Sequence, residues 1–206
     1  MTVLNESTSC EQRSFINRII IAYKSFRLSY RRQKELIRGE RDLLILAFTS
    51  ALILFMANLP VQLAKSTSVV EVESHIYIGL IGFVSAFSVP LFLYFISWVL
   101  FVGFKAFGGL AEFYELRLAL FWSLNVAAPI IIFNGILRGF FYYVSFIEYV
   151  SVILQIFVAW IISSMLVEAE KFKSNLPTFL VCVGIIALPL FFSTISGEEV
   201  KLASLT

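Results

Sequence analysis

Five long runs of uncharged, mainly apolar residues alternate along the chain with short segments that hold nearly all of its charge. The runs cover residues 43–64, 76–104, 118–137, 149–167 and 176–195, and they contain 22, 29, 20, 19 and 20 residues. They are continuous rather than alternating, which favours helices over strands. A helix of about 20 apolar residues crosses a hydrocarbon layer and satisfies its own backbone hydrogen bonds. The pattern therefore predicts an all-α integral membrane bundle of five transmembrane helices.

Residues 1–42 form a basic leader before the first span. Within residues 13–38, Phe15, Ile19, Ala22 and Phe26 recur at helical spacing, and most basic side chains lie elsewhere around the helix. This pattern predicts an amphipathic helix on the inner membrane surface, with its basic side toward anionic headgroups. An orientation signal with a short packed helix explains it equally well. The candidate lipid-surface residues are Arg27, Arg31, Arg32 and Lys34.

The distribution of Lys and Arg predicts the orientation of the chain, because positive residues near span ends stay in the cytoplasm. Nine of these residues precede the first span, two lie in residues 105–117 and two in residues 168–175; three lie on the opposite side. The bias places the N-terminus in the cytoplasm. After five crossings, residues 196–206 would form a short tail outside. No cleavable signal peptide is expected, because the first apolar run of sufficient length is itself a complete span.

Composition supports a membrane protein and provides few residues suited to catalysis or metal binding. Of the 206 residues, 59% are hydrophobic and 15% charged, compared with about 25% charged in ordinary soluble domains. One histidine and two cysteines provide no cluster for a metal site. The sequence contains no phosphate-binding glycine loop, no nucleophile elbow and no pattern typical of nucleic-acid binding. We therefore expect a non-enzymatic protein with no cofactor, no metal and no nucleic-acid partner.

Polar and helix-breaking residues inside the spans are the remaining candidates for function. Proline removes a backbone donor and bends a helix, and a nearby amide can bond a freed carbonyl or a neighbouring helix. These residues could be kinked elements lining a polar pathway, or they could serve only in packing, which is the favoured interpretation because membrane helices tolerate them for that reason. The set comprises Asn58, Pro60, Asn125, Pro129, Asn134 and Gln155.

The remaining charged and small residues favour structural roles. No charge lies in the middle of a span, where it would mark a pathway. Glu112, Glu115 and Arg117 are interpreted as a solvated interfacial loop. The pairs Gly82/Ala86 and Gly135/Gly139 predict close helix packing. Residues 140–143, all Phe or Tyr, predict an aromatic belt at the interface.

Three stretches carry a resemblance to a known family. They are "LIRGERDLLILAF" (36–48), "WVLFVGFKAFGGLAEFYELRLALFW" (98–122) and "NVAAPIIIFNGILRGF" (125–140). Together they resemble the bacterial branch of the Ypt/Rab-interacting-protein (Yip) family, over about residues 26–170. The shared features are a charged approach to the first span, a Gly-Gly loop after the second and a Pro-interrupted third span.

The resemblance implies a five-helix membrane domain with a cytoplasmic N-terminus, in a bacterial inner (plasma) membrane. It implies little about mechanism, because eukaryotic relatives act with Rab GTPases that a bacterium would not have, and fold alone does not carry function. The favoured hypothesis is a non-enzymatic protein that organises or assembles with other membrane components. Its expected partners are the lipid bilayer and a membrane protein or a second copy. The alternative is a small transporter or permease subunit using the Asn/Pro spans, and a membrane-embedded enzyme ranks third.

Overall fold

A computed structural model describes residues 15–37, 39–66, 71–141, 144 and 146–185. These residues form seven helices and no strand. The helices are α1 (Phe15–Ala22), α2 (Phe26–Leu36), α3 (Glu40–Ser66), α4 (Glu71–Ala106), α5 (Phe113–Phe140), α6 (Phe146–Glu170) and α7 (Leu176–Ile185).

Four of these helices are long and apolar enough to cross a membrane. The candidate spans are Glu40–Ala64, Gly82–Ala106, Phe113–Phe140 and Phe146–Glu170. They correspond to the first four predicted runs and extend most of them by several residues. The fifth run begins in α7, whose described part has only ten residues; residues 186–195 of that prediction lie outside the described residues, as does the tail at 196–206. The chain is therefore an all-helical protein with four candidate spans, and the prediction of a fifth stays untested.

Helix α5 lies at the centre of the bundle. Its most apolar 18-residue window is 61% buried, compared with 28% for α3 and for α4. Every residue from Leu118 to Ala128 is buried. The most extensive packing is between α3 and α5, followed by α5 and α6, while α1 and α2 cover the first half of α5. The uncharged part of α5 therefore forms the core of the bundle, while α3 and α4 leave more of their apolar surface exposed.

The leader forms two helices where the sequence predicts one. Helix α1 ends at Ala22, and Ser25 then adopts an extended conformation in which its hydroxyl accepts a hydrogen bond from the Leu28 N–H at 3.4 Å. Serine is a favoured N-cap, because its side chain satisfies a backbone donor that the first helical turn leaves free. The chain therefore turns at residues 23–25, between α1 and α2.

Left-handed residues end two of the spanning helices. Gly108, with φ of 83°, follows α4, and the Gly109 N–H donates to the Phe104 carbonyl at 2.8 Å. Lys171, with φ of 57°, follows α6, and the Phe172 N–H donates to the Val167 carbonyl at 3.1 Å. Both arrangements are Schellman-type caps, which satisfy free carbonyls at a helix end. The first explains the structural role of the Gly-Gly sequence.

Small residues bring α3 and α5 into backbone contact. A Cβ atom added to Gly135 would lie 2.6 Å from the carbonyl carbon of Ala57, and one added to Gly139 would lie 2.7 Å from that of Pro60. Only glycine permits this approach. The predicted packing role of the Gly135/Gly139 pair is therefore confirmed. In α4, Gly82 lies against the ring of Phe55.

Candidate functional site

Charged residues collect at one end of the bundle, where α3 begins, α4 ends, α5 begins and α6 ends. We call it the leader end, because α1 and α2 pack there. Three ion pairs join separate elements: Arg31 with Glu168 at 2.6 Å, Lys34 with Glu115, and Arg117 with Glu40. Two of them fasten α2 to the bundle. The third joins α3 to α5.

Of these three ion pairs, the one between Arg117 and Glu40 has the most hydrogen bonds. The two terminal nitrogens of Arg117 donate to both carboxylate oxygens of Glu40, at 3.0 and 2.6 Å. The guanidinium also lies over the ring of Phe113, 4.4 Å from its centroid. The Arg117 side chain is only 11% exposed. The interpretation of Glu115 and Arg117 as part of a solvated loop is wrong, because both belong to the first turns of α5 and their charges are neutralised by partners from other helices.

Glu170, the last residue of α6, is a buried carboxylate at the leader end. One of its oxygens accepts a hydrogen bond from the Ala111 N–H at 3.0 Å, and the other has no partner among the described residues. A Cβ on Gly109 would lie 3.0 Å from the Glu170 carboxyl carbon. Lys105 donates to the Gly109 carbonyl at 3.2 Å. The Gly-Gly loop thus closes over Glu170, and a buried hydrogen bond joins this loop to the end of α6.

Polar aromatic side chains secure the leader against α5. The Trp122 indole donates to the Ser29 hydroxyl at 3.0 Å, and the hydroxyls of Tyr23 and Tyr30 donate to the carbonyls of Val126 and Glu115. Burial raises the pKa of both tyrosines. Nearby carboxylates raise that of Tyr30 further. Both phenols therefore stay protonated at neutral pH and keep donating.

Asn125 lies inside the packed half of the bundle and is completely buried. Its amide nitrogen is 3.2 Å from the Leu46 carbonyl, 2.9 Å from the Ser50 hydroxyl and 2.8 Å from the Phe121 carbonyl. Two of these acceptors belong to α3, so the amide links α3 to α5. The amide nitrogen of Asn125 thus takes part in packing, while its side-chain oxygen is buried with no partner among the described residues.

The other three candidate amides meet in a groove between α3, α5 and α6. The groove has a volume of about 250 Å³, and its polar lining consists of Asn58, Asn134, Gln155 and Arg138. The side-chain amide oxygen of Asn134 is buried with no partner among the described residues. Asn58 donates to the Leu54 carbonyl of its own helix at 2.8 Å. We call this feature the amide groove.

The two candidate prolines occupy continuous helices. Pro60 lies inside α3 and Pro129 inside α5. Asn58 bonds Leu54 rather than the Met56 carbonyl that Pro60 leaves without its helical donor. Pro60 instead forms part of the close crossing with Gly139.

The four candidate lipid-surface residues have different surroundings. Arg31 and Lys34 are paired with carboxylates of α6 and α5, and Arg27 donates to the Asn175 side chain at 2.7 Å. Arg32 lines a small pocket within the leader. The predicted aromatic belt is described at two positions, where Phe140 and Phe141 are both exposed; Tyr142 and Tyr143 lie outside the described residues.

Sequence reasoning missed Glu170, Trp122 and Tyr30. Glu170 falls within a short charged connection, which is typical of solvated loops, and no local pattern indicates that the Gly-Gly loop covers it. The signal available for Trp122 was its position five residues after Arg117, near the end of a predicted span, where tryptophan is enriched.

Comparison with known proteins supplies no relative from which a function could be transferred. No family model matches the chain, and no curated protein or solved structure matches it significantly. Among the described residues, no group of three or more His, Cys, Asp or Glu side chains could hold a metal ion.

Proposed function

We propose that this chain is a non-enzymatic, Yip-like integral membrane protein that assembles with other membrane components. The observation that carries the proposal is that the polar intramembrane residues lie in two separate places and form no continuous path. Asn125 is used in packing, and the amide groove lies farther along α5 from the leader end. Between the groove and the leader end, the interior is filled by fully buried side chains, including Leu43, Leu118, Phe121 and Met165. A solute pathway would need open polar space through this region, whereas its interior is packed and the Asn125 amide within it bonds the Leu46 carbonyl and the Ser50 hydroxyl.

Helix α4 offers the surface for assembly. Its residues at 90, 93, 97, 100 and 104 are buried toward the bundle. The opposite side carries a row of large exposed side chains with helical spacing, which we call the α4 outer face: Phe83, Phe87, Leu91, Phe95 and Trp98. Adjacent rings on this face contact each other, with Phe83 and Phe87 centroids 5.2 Å apart. Aromatic side chains dominate the energetics of many interfaces, so we assign this face to a partner transmembrane helix.

The leader end is placed in the cytoplasm in this proposal, since nine Lys and Arg residues precede the first span. The leader is not a free tail, because its ion pairs and hydrogen bonds fix it to α5 and α6. It therefore presents a fixed basic surface beside the membrane, in keeping with an organising role.

Site-specific photo-crosslinking in native membranes tests the assembly. A photoreactive phenylalanine analogue replaces Phe87 or Phe95 on the α4 outer face, and Ile153 on α6 is the control, because it is exposed to a similar extent. We expect one protein adduct of constant size from the two α4 positions and none from Ile153. The same protein should co-purify with the chain in a fixed ratio. Adducts with lipid alone at all three positions would refute the proposal.

The transporter alternative is favoured by one observation, the amide groove with its unpartnered Asn134 oxygen and the nearby Arg138 guanidinium. It predicts solute or ion flux in proteoliposomes that carry the purified protein. Flux that is lost in Gln155→Ala at unchanged protein content would establish this function over assembly.

A further inference from the structure

We propose that the leader holds the phosphate of one anionic phospholipid at a pocket between α1 and α2. The pocket has a volume of about 160 Å³ and a mainly apolar lining, and the basic residues around it are Arg18, Lys24 and Arg32. No acidic residue is among the described residues that line it. We call it the headgroup pocket. The inference rests on the proposed placement of the leader against the membrane.

None of these three basic residues forms an ion pair within the described part of the chain. The described ion pairs use Arg31, Lys34 and Arg117, none of which lines the pocket. The Nε atom of Arg18 is buried and has no hydrogen-bond partner among the described residues. A buried donor on a charged group is costly unless something accepts its hydrogen bond. A phosphate oxygen supplies both the acceptor and the opposite charge.

The pocket has an apolar flank of the kind that a lipid needs. Trp122 contributes to its lining and lies five residues beyond Arg117, the last charge before the uncharged part of α5. Five residues correspond to about 7–8 Å of helix rise, so the pocket lies near the charged end of α5. Ile16 and Ile20 on α1 are 65% and 61% exposed. Their exposure suits contact with acyl chains beside a bound headgroup.

This assignment differs from the one that the sequence favours. Arg27, Arg31 and Lys34 have partners in α6, α5 or the segment before α7. Arg18 and Lys24 replace them, and Arg32 is the residue that both sets share. Arg27, Arg31 and Lys34 therefore serve mainly to hold the leader against the bundle, and the pocket residues are the ones that we assign to a ligand.

Lipid titration of the full-length, detergent-purified protein tests the pocket. Native mass spectrometry measures binding of dioleoyl-phosphatidylglycerol, with dioleoyl-phosphatidylcholine as the neutral comparison. We expect one phosphatidylglycerol to bind above the background shared by the two lipids. Each charge removed near the surface should weaken lipid binding about 5-fold. The R18Q/K24Q/R32Q variant should therefore bind phosphatidylglycerol about 100-fold more weakly. Arg32→Gln alone, at an exposed side chain, should lose about 5-fold without affecting folding.

The matched control is R41Q/K171Q/K173Q, which removes three exposed charges from the leader end outside the pocket and breaks none of the described ion pairs. We expect it to retain most of the phosphatidylglycerol affinity. Equal losses in the two triple variants, or a larger loss in the control, would overturn the proposal in favour of a diffuse basic surface. An unchanged affinity in Arg32→Gln would also refute it.

A competition experiment identifies the source of the phosphate. Inorganic phosphate at millimolar concentration should leave phosphatidylglycerol binding almost unchanged, because it lacks the acyl chains that contact the apolar flank. Displacement of the lipid by inorganic phosphate at equal concentration would assign the pocket to a soluble anion and overturn the lipid assignment. Crosslinking at Phe87 and Phe95 does not depend on these residues, so failure of the pocket and failure of the assembly proposal can be told apart.

Discussion

Replacing Gly135 with alanine is expected to destabilise the bundle, because it forces apart the two helices that pack most extensively. The added Cβ would overlap the Ala57 carbonyl group, at 2.6 Å from its carbon and 2.8 Å from the Ala57 Cα. Carbon atoms in favourable contact lie about 3.5 Å apart or more. Helices α3 and α5 would therefore have to separate locally by about 1 Å.

The magnitude follows from two opposing effects. Overpacking of this kind costs about 1–3 kcal/mol, and the upper value applies because backbone atoms cannot rotate away as a side chain can. Alanine recovers up to about 1 kcal/mol over glycine within a helix. We therefore expect Gly135→Ala to lower the free energy of unfolding by about 2 kcal/mol.

Unfolding of the purified protein in mixed detergent micelles, at increasing mole fraction of sodium dodecyl sulfate, measures this difference. Gly103→Ala is the control, since it makes the same change in a spanning helix where a Cβ would meet no atom within 4 Å. It should be neutral or slightly stabilising. If the two variants have the same unfolding midpoint, the close α3–α5 crossing is not present in the folded protein.

Three further predictions use the same unfolding assay. Asn125→Ala should lower the free energy of unfolding by about 0.6–2 kcal/mol, because its amide bonds α3. Asn58→Ala breaks only a bond within its own helix and should lower it by less. Equal losses in the two variants would contradict the difference in their roles. Arg117→Lys should cost about 1–2 kcal/mol, because lysine cannot reproduce the two-pronged contact with Glu40, and full stability would show that the contact is unimportant. Lys171→Gly should stabilise the protein by about 0.5–1 kcal/mol by relieving a positive φ, and destabilisation would argue against a left-handed cap there.

Much of the fold could be predicted from the sequence because bilayer thickness imposes a length on apolar helices. Runs at 43–64, 118–137 and 149–167 each lie inside an observed helix, and the charges that bound them mark where spans end. The Gly135/Gly139 spacing also predicted close packing, since residues four apart share a helix face. These features depend on local spacing, which a single sequence displays directly.

The candidate site required the tertiary structure, because its members come from distant parts of the chain. Asn58, Asn134 and Gln155 carry the same signal as Asn125 in the sequence, yet three of them line a groove and the fourth is used in packing. The difference depends on which neighbouring helix each amide faces, and hydropathy does not encode that choice.

For the leader, the sequence by itself determined that residues 13–38 are basic and have helical periodicity. Only the tertiary structure decided how those charges are used. Arg31 and Lys34 meet carboxylates contributed by α6 and α5, more than 80 residues away in the chain. Arg18 and Lys24 meet no carboxylate among the described residues that line their pocket. Whether a charge remains available to a ligand depends on the partners that folding brings within a few ångströms of it, because ionic interactions weaken with distance and with screening by water.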